Sequence, residues 1–434
     1  MSSILTNNGA MIALQTLQSI NKNLGMTQSE ISTGKSVATA KDNSAVWAIS
    51  KQMESDVQGF KSIQESLALG ESTTSVARNA AETVTDLLTQ IKGKIVASQE
   101  ENVDRTKIQT DIAALRDQIG SVVGAAQFNG LNMLGNTSRT AGEGSVNVLS
   151  SLDRSGSGVT ASSINISKQD LGTAKAAYTG TTALTAGTAA NLNATQTQNI
   201  IITTASVKTG QAYSIGIAGT DADASLFTPA DYTTGTAATD QSKILYIARE
   251  GDTASDVARG LAAAYNGYAS KNGLDLDILS VSAGSTVTTG VNLTFTSKKT
   301  DGTDSLAVRV DSGATTAAVA ASAGSIGGAL SSLADFDVTT KNGAKAALAG
   351  IEGLISTAID SAAALGSAQG RIETQTSFVS KLSDSLKSGI GALVDANMEE
   401  ASARLQALQV QQQLATQSLS IANQAPQSIL SLFR

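Results

Sequence analysis

Between residues 10 and 31 the apolar positions step by three and four: Ala10, Ala13, Leu17, Ile20, Leu24, Thr27 and Ile31. That spacing lays them on one face of an amphipathic helix. The run ends at Gly34, and a glycine just past the last periodic position is the common left-handed helix terminator. Asp42, Asn43 or Ser44 then supplies the cap of a second helix. This helix is expected over 44–99, with Ile63, Leu67, Val84, Leu87, Ile91 and Ile95 on its apolar face. At 1.5 Å per residue it would be roughly 80 Å long, too long for an ordinary globular helix. A third helix follows Asp104, where Ile108, Ile112, Leu115, Ile119, Val122 and Ala126 alternate steps of four and three.

The C-terminal part mirrors this pattern. Leu348, Ile351, Ile355, Ala358, Ala362, Leu365, Ile372, Val379, Leu386, Ile390 and Leu393 keep one heptad phase, interrupted by Gln369, Thr376 and Ser383. At "NMEEASARL", Asn397 and Glu400 form a capping-box-like pair, and Glu399 adds favourable charge to the first turn. The last helix repeats at Ala401, Leu405, Leu408, Gln412, Ala415, Leu419 and Ala422, and is expected to stop before Pro426.

Between these ends, over about 140–335, the chain turns to Gly, Thr and Ser with alternating β-branched residues. The stretches "NIIITTASV", "AYSIGIAG", "KILYIARE", "LDILSVS", "VNLTFTS" and "SLAVRV" read as short strands, and "DTASDVARGLAAAYNGYA" as a helix among them. The fold class is therefore mainly α. Long coiled-coil or bundle helices come from both chain ends, and a β-rich region is inserted between them.

Composition narrows the chemistry. The chain has neither histidine nor cysteine, which removes the commonest general base, the commonest transition-metal ligand and thiolate chemistry. A formal charge of −7 disfavours nucleic acid as a partner. No basic leader and no segment of membrane-spanning length is seen, so a membrane partner is not expected. The hydrophobic share is 41% but aromatics are only 3%, and the helix seams hold Ala, Thr and Gln. Helices with such seams are marginal alone, so partner helices from other copies are expected to complete them. "ISTGKS" (31–36) resembles the end of a phosphate-binding loop, but Ser29 stands where the first glycine is required and no strand precedes it. Paired carboxylates at Glu100–Glu101 and Glu399–Glu400 do not face one another on a helix. No catalytic, cofactor-binding or metal residue is assigned and no cofactor is expected.

Three motifs carry a resemblance to a known family. They are "ISTGKSVATAKDNSAVWAIS" from Ile31, "AAQFNGLNML" from Ala125, with Phe128, Asn129 and Gly130, and the ending "NQAPQSILSLFR". In this order, and at these distances from both ends, the chain resembles bacterial flagellin. Ser36, Asn43 and Val46 stand where many members of the family carry arginine, aspartate and glycine. The resemblance covers about 1–152 and 336–434. It implies an inner domain of terminal helices (1–43 with 395–434), a helical rod domain with a small hairpin near 135–152 (44–152 with 336–394), and a variable β-rich outer domain (153–335). It implies a subunit exported unfolded, which polymerises into the extracellular filament that a rotary motor turns for swimming. Packing between subunits is expected at Leu17, Ile20, Leu24, Ile31, Leu405, Leu408, Leu414, Leu419, Leu430 and Leu432. Gly34, Asp42 and Asn397 are the expected cap and connector residues. The implied partners are many copies of the same chain, an export chaperone, and hook-associated and cap proteins; co-assembly with other flagellins is left open. A hook–filament junction protein, which shares similar ends, is the alternative reading.

Overall fold

A computed structural model describes residues 7–138, 140, 142–155, 158–178, 184–193, 195–220, 229–235, 240–298, 304–313 and 325–432. Its contacts divide the chain into two units: Met1–Glu65 with Ser151–Thr160 and Thr376–Arg434, and Ser66–Ser150 with Ala161–Gln375. Two helices of 54 residues each run through both units, α2 (Ser44–Ala97) and α6 (Lys341–Val394).

The first unit is dominated by α1 (Asn8–Thr33) and α7 (Met398–Leu432), which lie antiparallel. Asn21 accepts a hydrogen bond from Gln412 at 2.7 Å, and the Asn7 side-chain amide donates to the Ala422 carbonyl at 2.8 Å. The second contact lets α7 pass a proline. Instead of stopping before Pro426, α7 continues to Leu432. Proline at 426 lacks the N–H that would reach the Ala422 carbonyl four residues back. Asn7 supplies the missing donor, so the helix runs on.

In the second unit, α3 (Arg105–Ala125) buries Ile112, Ile119 and Val123. Asp104 caps α3 by accepting from the Lys107 N–H, and Lys92–Glu352 and Lys94–Asp111 pair across helices. All six expected core residues of α2, Ile63, Leu67, Val84, Leu87, Ile91 and Ile95, are buried. On α6, Ile351, Ala358, Leu365, Ile372 and Val379 are buried as the heptad predicts, whereas Leu393 is exposed. Contrary to expectation, α6 contains a stretch long and apolar enough, by length and composition alone, to cross a membrane. Alanine supplies much of that apolarity, and Ala344, Ala346, Ala347, Ile351 and Leu354 are buried within the protein.

The hairpin expected near 135–152 is replaced by two hairpins. A tight one joins β1 (Gln127–Phe128) to β2 (Leu131–Asn132), and a longer one pairs β3 (Ser145–Ser155) with β4 (Gly158–Ser167). Strand propensity in "SVNVLSSLDRS" runs past 152, so the proposed domain boundary there falls inside β3.

The inserted region holds the expected strands. One sheet has the order β6 (Thr197–Thr203), β10 (Gly290–Thr296), β9 (Ser280–Val287). The other has the order β5 (Ala190–Leu192), β11 (Ser305–Ser312), β7 (Ala212–Thr220), β8 (Leu245–Ile247). The described pairings in both sheets are antiparallel. A single turn, α4 (Pro229–Tyr232), follows β7, and α5 (Ala254–Asn272) packs on both sheets. A Thr253–Asp256 capping box starts α5 and the left-handed Gly273 ends it. Tyr265, Leu261 and Val257 of α5 are fully buried against Phe295, Leu293, Leu306 and Val308.

Candidate assembly surface and joint

The α1–α7 pair has the seam its periodicity predicts. Thr27, Ala401, Leu408 and Ala415 are buried, and Leu17, Ile20, Leu24, Ile31, Leu405 and Leu419 are half-buried. Small side chains leave the seam loose, with a cleft of about 320 Å³ between Gly9, Ala13, Thr16, Ala415, Ser418 and Ala422. Large apolar residues on the same two helices remain outside the seam. Met11, Ile12, Met26, Val410 and Ile421 are exposed, and Leu414, at 56% exposed, lies mostly outside the packing within the chain. The side chains of Leu430 and Leu432 lie outside the described residues.

A joint closes one end of this pair. Gly34 terminates α1 at φ 70°, the left-handed region where a side chain is strained, and its N–H bonds the Glu30 carbonyl. Its carbonyl accepts from the Ala396 N–H at 3.0 Å, and Ser36 N–H donates to the Val394 carbonyl at 2.7 Å. Lys35 and Asp395 pair as a single antiparallel bridge. The lysine of the apparent phosphate loop thus sits in a helix connector, with Glu54 at 3.8 Å. Asp42 organises the same connector. Hydrogen bonds from the Thr39 N–H and hydroxyl and the Ala38 N–H hold its carboxyl below the usual carboxylate range. Of the three cap candidates, Asn43 caps α2 by accepting from the Val46 N–H at 3.2 Å. Asn397 accepts from Glu399 and Glu400 N–H, but Glu400 turns to Arg404, so only half of the capping box forms.

Phe128, Asn129 and Gly130 fall at the tip of the short hairpin. Asn129 (φ 50°) and Gly130 (φ 79°) are both left-handed, and Phe128 pairs with Leu131. Two central residues of that kind define a type I′ turn, for which Asn-Gly is the preferred pair.

One buried polar cluster went unseen in the sequence. Arg249 donates from Nε to Asp170 at 2.6 Å, from one terminal nitrogen to the Gly327 carbonyl at 2.6 Å, and from the other to the Tyr246 hydroxyl at 2.8 Å. Tyr246 in turn donates to Asp252 at 2.6 Å. Burial pushes the Asp170 carboxyl up, against the pull of the Arg249 charge and the Gly172 N–H. Tyr246 is a near neighbour of Arg249, but Asp170 and Gly327 lie 79 and 78 residues away, so no local signal joins them to it. The cluster pins the segments leading into and out of the inserted strands. Among the described residues no group of three His, Cys, Asp or Glu could hold a metal ion.

Both ends of the chain thus meet as one antiparallel helix pair with a shared joint and uncovered apolar surface. That is the build of a mainly helical structural subunit. Residues 4–139 match the family model described as the bacterial flagellin N-terminal helical region, and residues 348–433 match the bacterial flagellin C-terminal helical region. Flagellin A of Rhizobium meliloti strain 1021 is 36% identical over 438 residues, and another Rhizobium meliloti Flagellin A is 34% identical over 447, each across the whole of both chains. The chain belongs to the bacterial flagellins, a family of structural proteins, and is a subunit of the extracellular flagellar filament used for motility. Among solved structures, flagellar hook associated protein-3 from Legionella pneumophila aligns at a TM-score of 0.35 and 10% identity, covering 79% of this chain and 98% of that one.

Proposed function

We propose that α1 and α7 form the inner layer of the filament and that neighbouring copies cover their exposed apolar surface. The observation that carries this reading is that surface itself: Met11, Ile12, Met26, Val410, Leu414 and Ile421 lie uncovered beside a seam of small and polar residues. Leu17, Ile20, Leu24, Ile31, Leu405, Leu408 and Leu419 hold the pair together, Leu414 packs against a neighbour, and Leu430 and Leu432 extend the contact. Residues 1–43 with 395–434 act as the inner domain, 44–152 with 336–394 as a helical domain around it, and 153–335 as the outer region. Loose seams make the terminal helices marginal in a free subunit, and burial against other copies shifts them toward order. Such ends suit a chain exported unfolded, escorted by a chaperone and placed beneath a cap beyond hook-associated proteins.

Limited proteolysis with trypsin tests this reading at Lys22 of α1 and Arg404 of α7. Both sites are expected to be cut quickly in the soluble subunit and protected in the polymer. Equal protection in a verified monomer would show that the pair is stable without neighbours.

A further inference from the structure

The sequence contains five Asn-Gly steps, at 8–9, 129–130, 266–267, 272–273 and 342–343. Such a step can lose ammonia by attack of the glycine backbone nitrogen on the asparagine side chain, provided that nitrogen is free and the backbone can swing. Three steps are blocked by their surroundings. Asn266 and Gly267 are buried within α5. The Asn272 side chain is tied to the Tyr268 carbonyl at 2.8 Å, and Gly273 N–H is bonded to the carbonyls of Ala269 and Ser270. Gly343 is buried in the first turn of α6, its N–H donating to the Thr340 hydroxyl at 3.0 Å. Asn8–Gly9 opens α1, whose order depends on assembly in the reading above, and it stands outside the comparison.

Asn129–Gly130 is different in each respect. Both residues are exposed, and an added Cβ at Gly130 would meet nothing within 4 Å. Among the described residues, neither the Gly130 N–H nor the Asn129 side chain has a hydrogen-bond partner. The hairpin that holds the turn has only two residue pairs, Gln127–Asn132 and Phe128–Leu131, so flattening the turn to bring nitrogen and side chain together disturbs little structure. We propose that Asn129 is a spontaneous deamidation site of the folded chain. The Gly130 nitrogen bonds to Cγ of Asn129, loses its proton and expels the side-chain nitrogen as ammonia, closing a succinimide. Water then opens the ring to aspartate or, through the other carbonyl, isoaspartate.

The isoaspartyl product inserts a methylene into the main chain at a position that must be left-handed, so it cannot rebuild the type I′ turn. It also places a negative charge there. The next residues, Leu131 and Met133, line an apolar groove with Leu69, Val146, Val148 and Ile166, and this corner of the fold is expected to loosen with age.

The test is peptide mapping by mass spectrometry of the purified soluble chain, incubated at mildly alkaline pH, where the attacking nitrogen loses its proton more readily. A synthetic peptide of residues 125–134 serves as the unfolded reference. Conversion at Asn129 is expected within a few-fold of the peptide's rate, while Asn266, Asn272 and Asn342 keep their amides. Gly130→Ala should slow conversion strongly. If Asn129 proves as inert as the three helical sites while the peptide converts, or if a helical site converts faster, the proposal is overturned.

Discussion

Replacing Arg249 with methionine removes the guanidinium from the buried cluster while keeping an unbranched side chain in its place. The Arg249 and Asp170 side chains are 7% and 3% exposed. In the variant, Asp170 remains in the interior with the Gly172 N–H at 2.8 Å, and the Gly327 carbonyl loses its donor. Removing one member of a buried pair costs about 3–5 kcal/mol, chiefly because the other charge is left without compensation. Adding Asp170→Asn removes that charge and should recover a large part of the loss. The assay is urea unfolding followed by tyrosine fluorescence: all six tyrosines lie between residues 178 and 268, so they report on the inserted region, while Trp47 lies in α2. Acidity supplies a second arm. Burial raises the folded pKa of Asp170, and losing the Arg249 charge raises it further. A carboxyl raised in the folded state destabilises the fold above its folded pKa; that penalty fades as pH falls through the folded value and vanishes below the unfolded one. The deficit of Arg249→Met should therefore be largest near neutrality and shrink toward about pH 4. A loss under about 1 kcal/mol would refute the reasoning, measured against the cost of a broken buried pair. So would a deficit flat with pH, or a double variant less stable than the single one.

Two further outcomes follow from the joint and the insert. Gly34→Val forces a β-branched side chain into a left-handed turn at φ 70°, a strain of about 1–2 kcal/mol. The yield of sedimentable polymer should fall, and an unchanged yield would mean the joint tolerates another turn. Replacing residues 176–325 with a short Gly/Ser linker removes the strand-rich insert at the bridge between Ala177 and Ser325. The shortened chain should still form filaments, thinner by electron microscopy; soluble subunits alone, with normal helical circular dichroism, would count against an assembly function confined to the ends.

The helices were legible because their burial is one-sided and repeats. On α1, the seven positions read from spacing, Ala10 to Ile31, are the half-buried or buried seam residues, with Thr27 the buried one. The strands were legible from β-branched runs between turn residues, and "NIIITTASV" became β6 with a shift of a few residues. What escaped depends on partners far along the chain. Nothing near Pro426 announces that Asn7 would satisfy the Ala422 carbonyl, and nothing near Arg249 points to Asp170 or Gly327. The hairpins were misplaced for a different reason. Serine-rich strands such as β3 carry little apolar contrast, so their limits are set by the pairing of β3 with β4 rather than by composition.

The joint between Gly34 and Ala396 has a consequence for how such a chain is made. Its two halves come from opposite ends of the chain: Ser36 bonds Val394 across a separation of 358 residues, and Asn7 reaches Ala422 across 415. Every residue between them must exist before α1 has a surface to lie on. A chain interrupted between the last inserted strand, which ends at Ser312, and about Ala396 would keep those strands, which pair among themselves, yet leave α1 without its partner. The helix pair thus acts as a completeness check, passed only by a molecule whose first and last helices have both arrived.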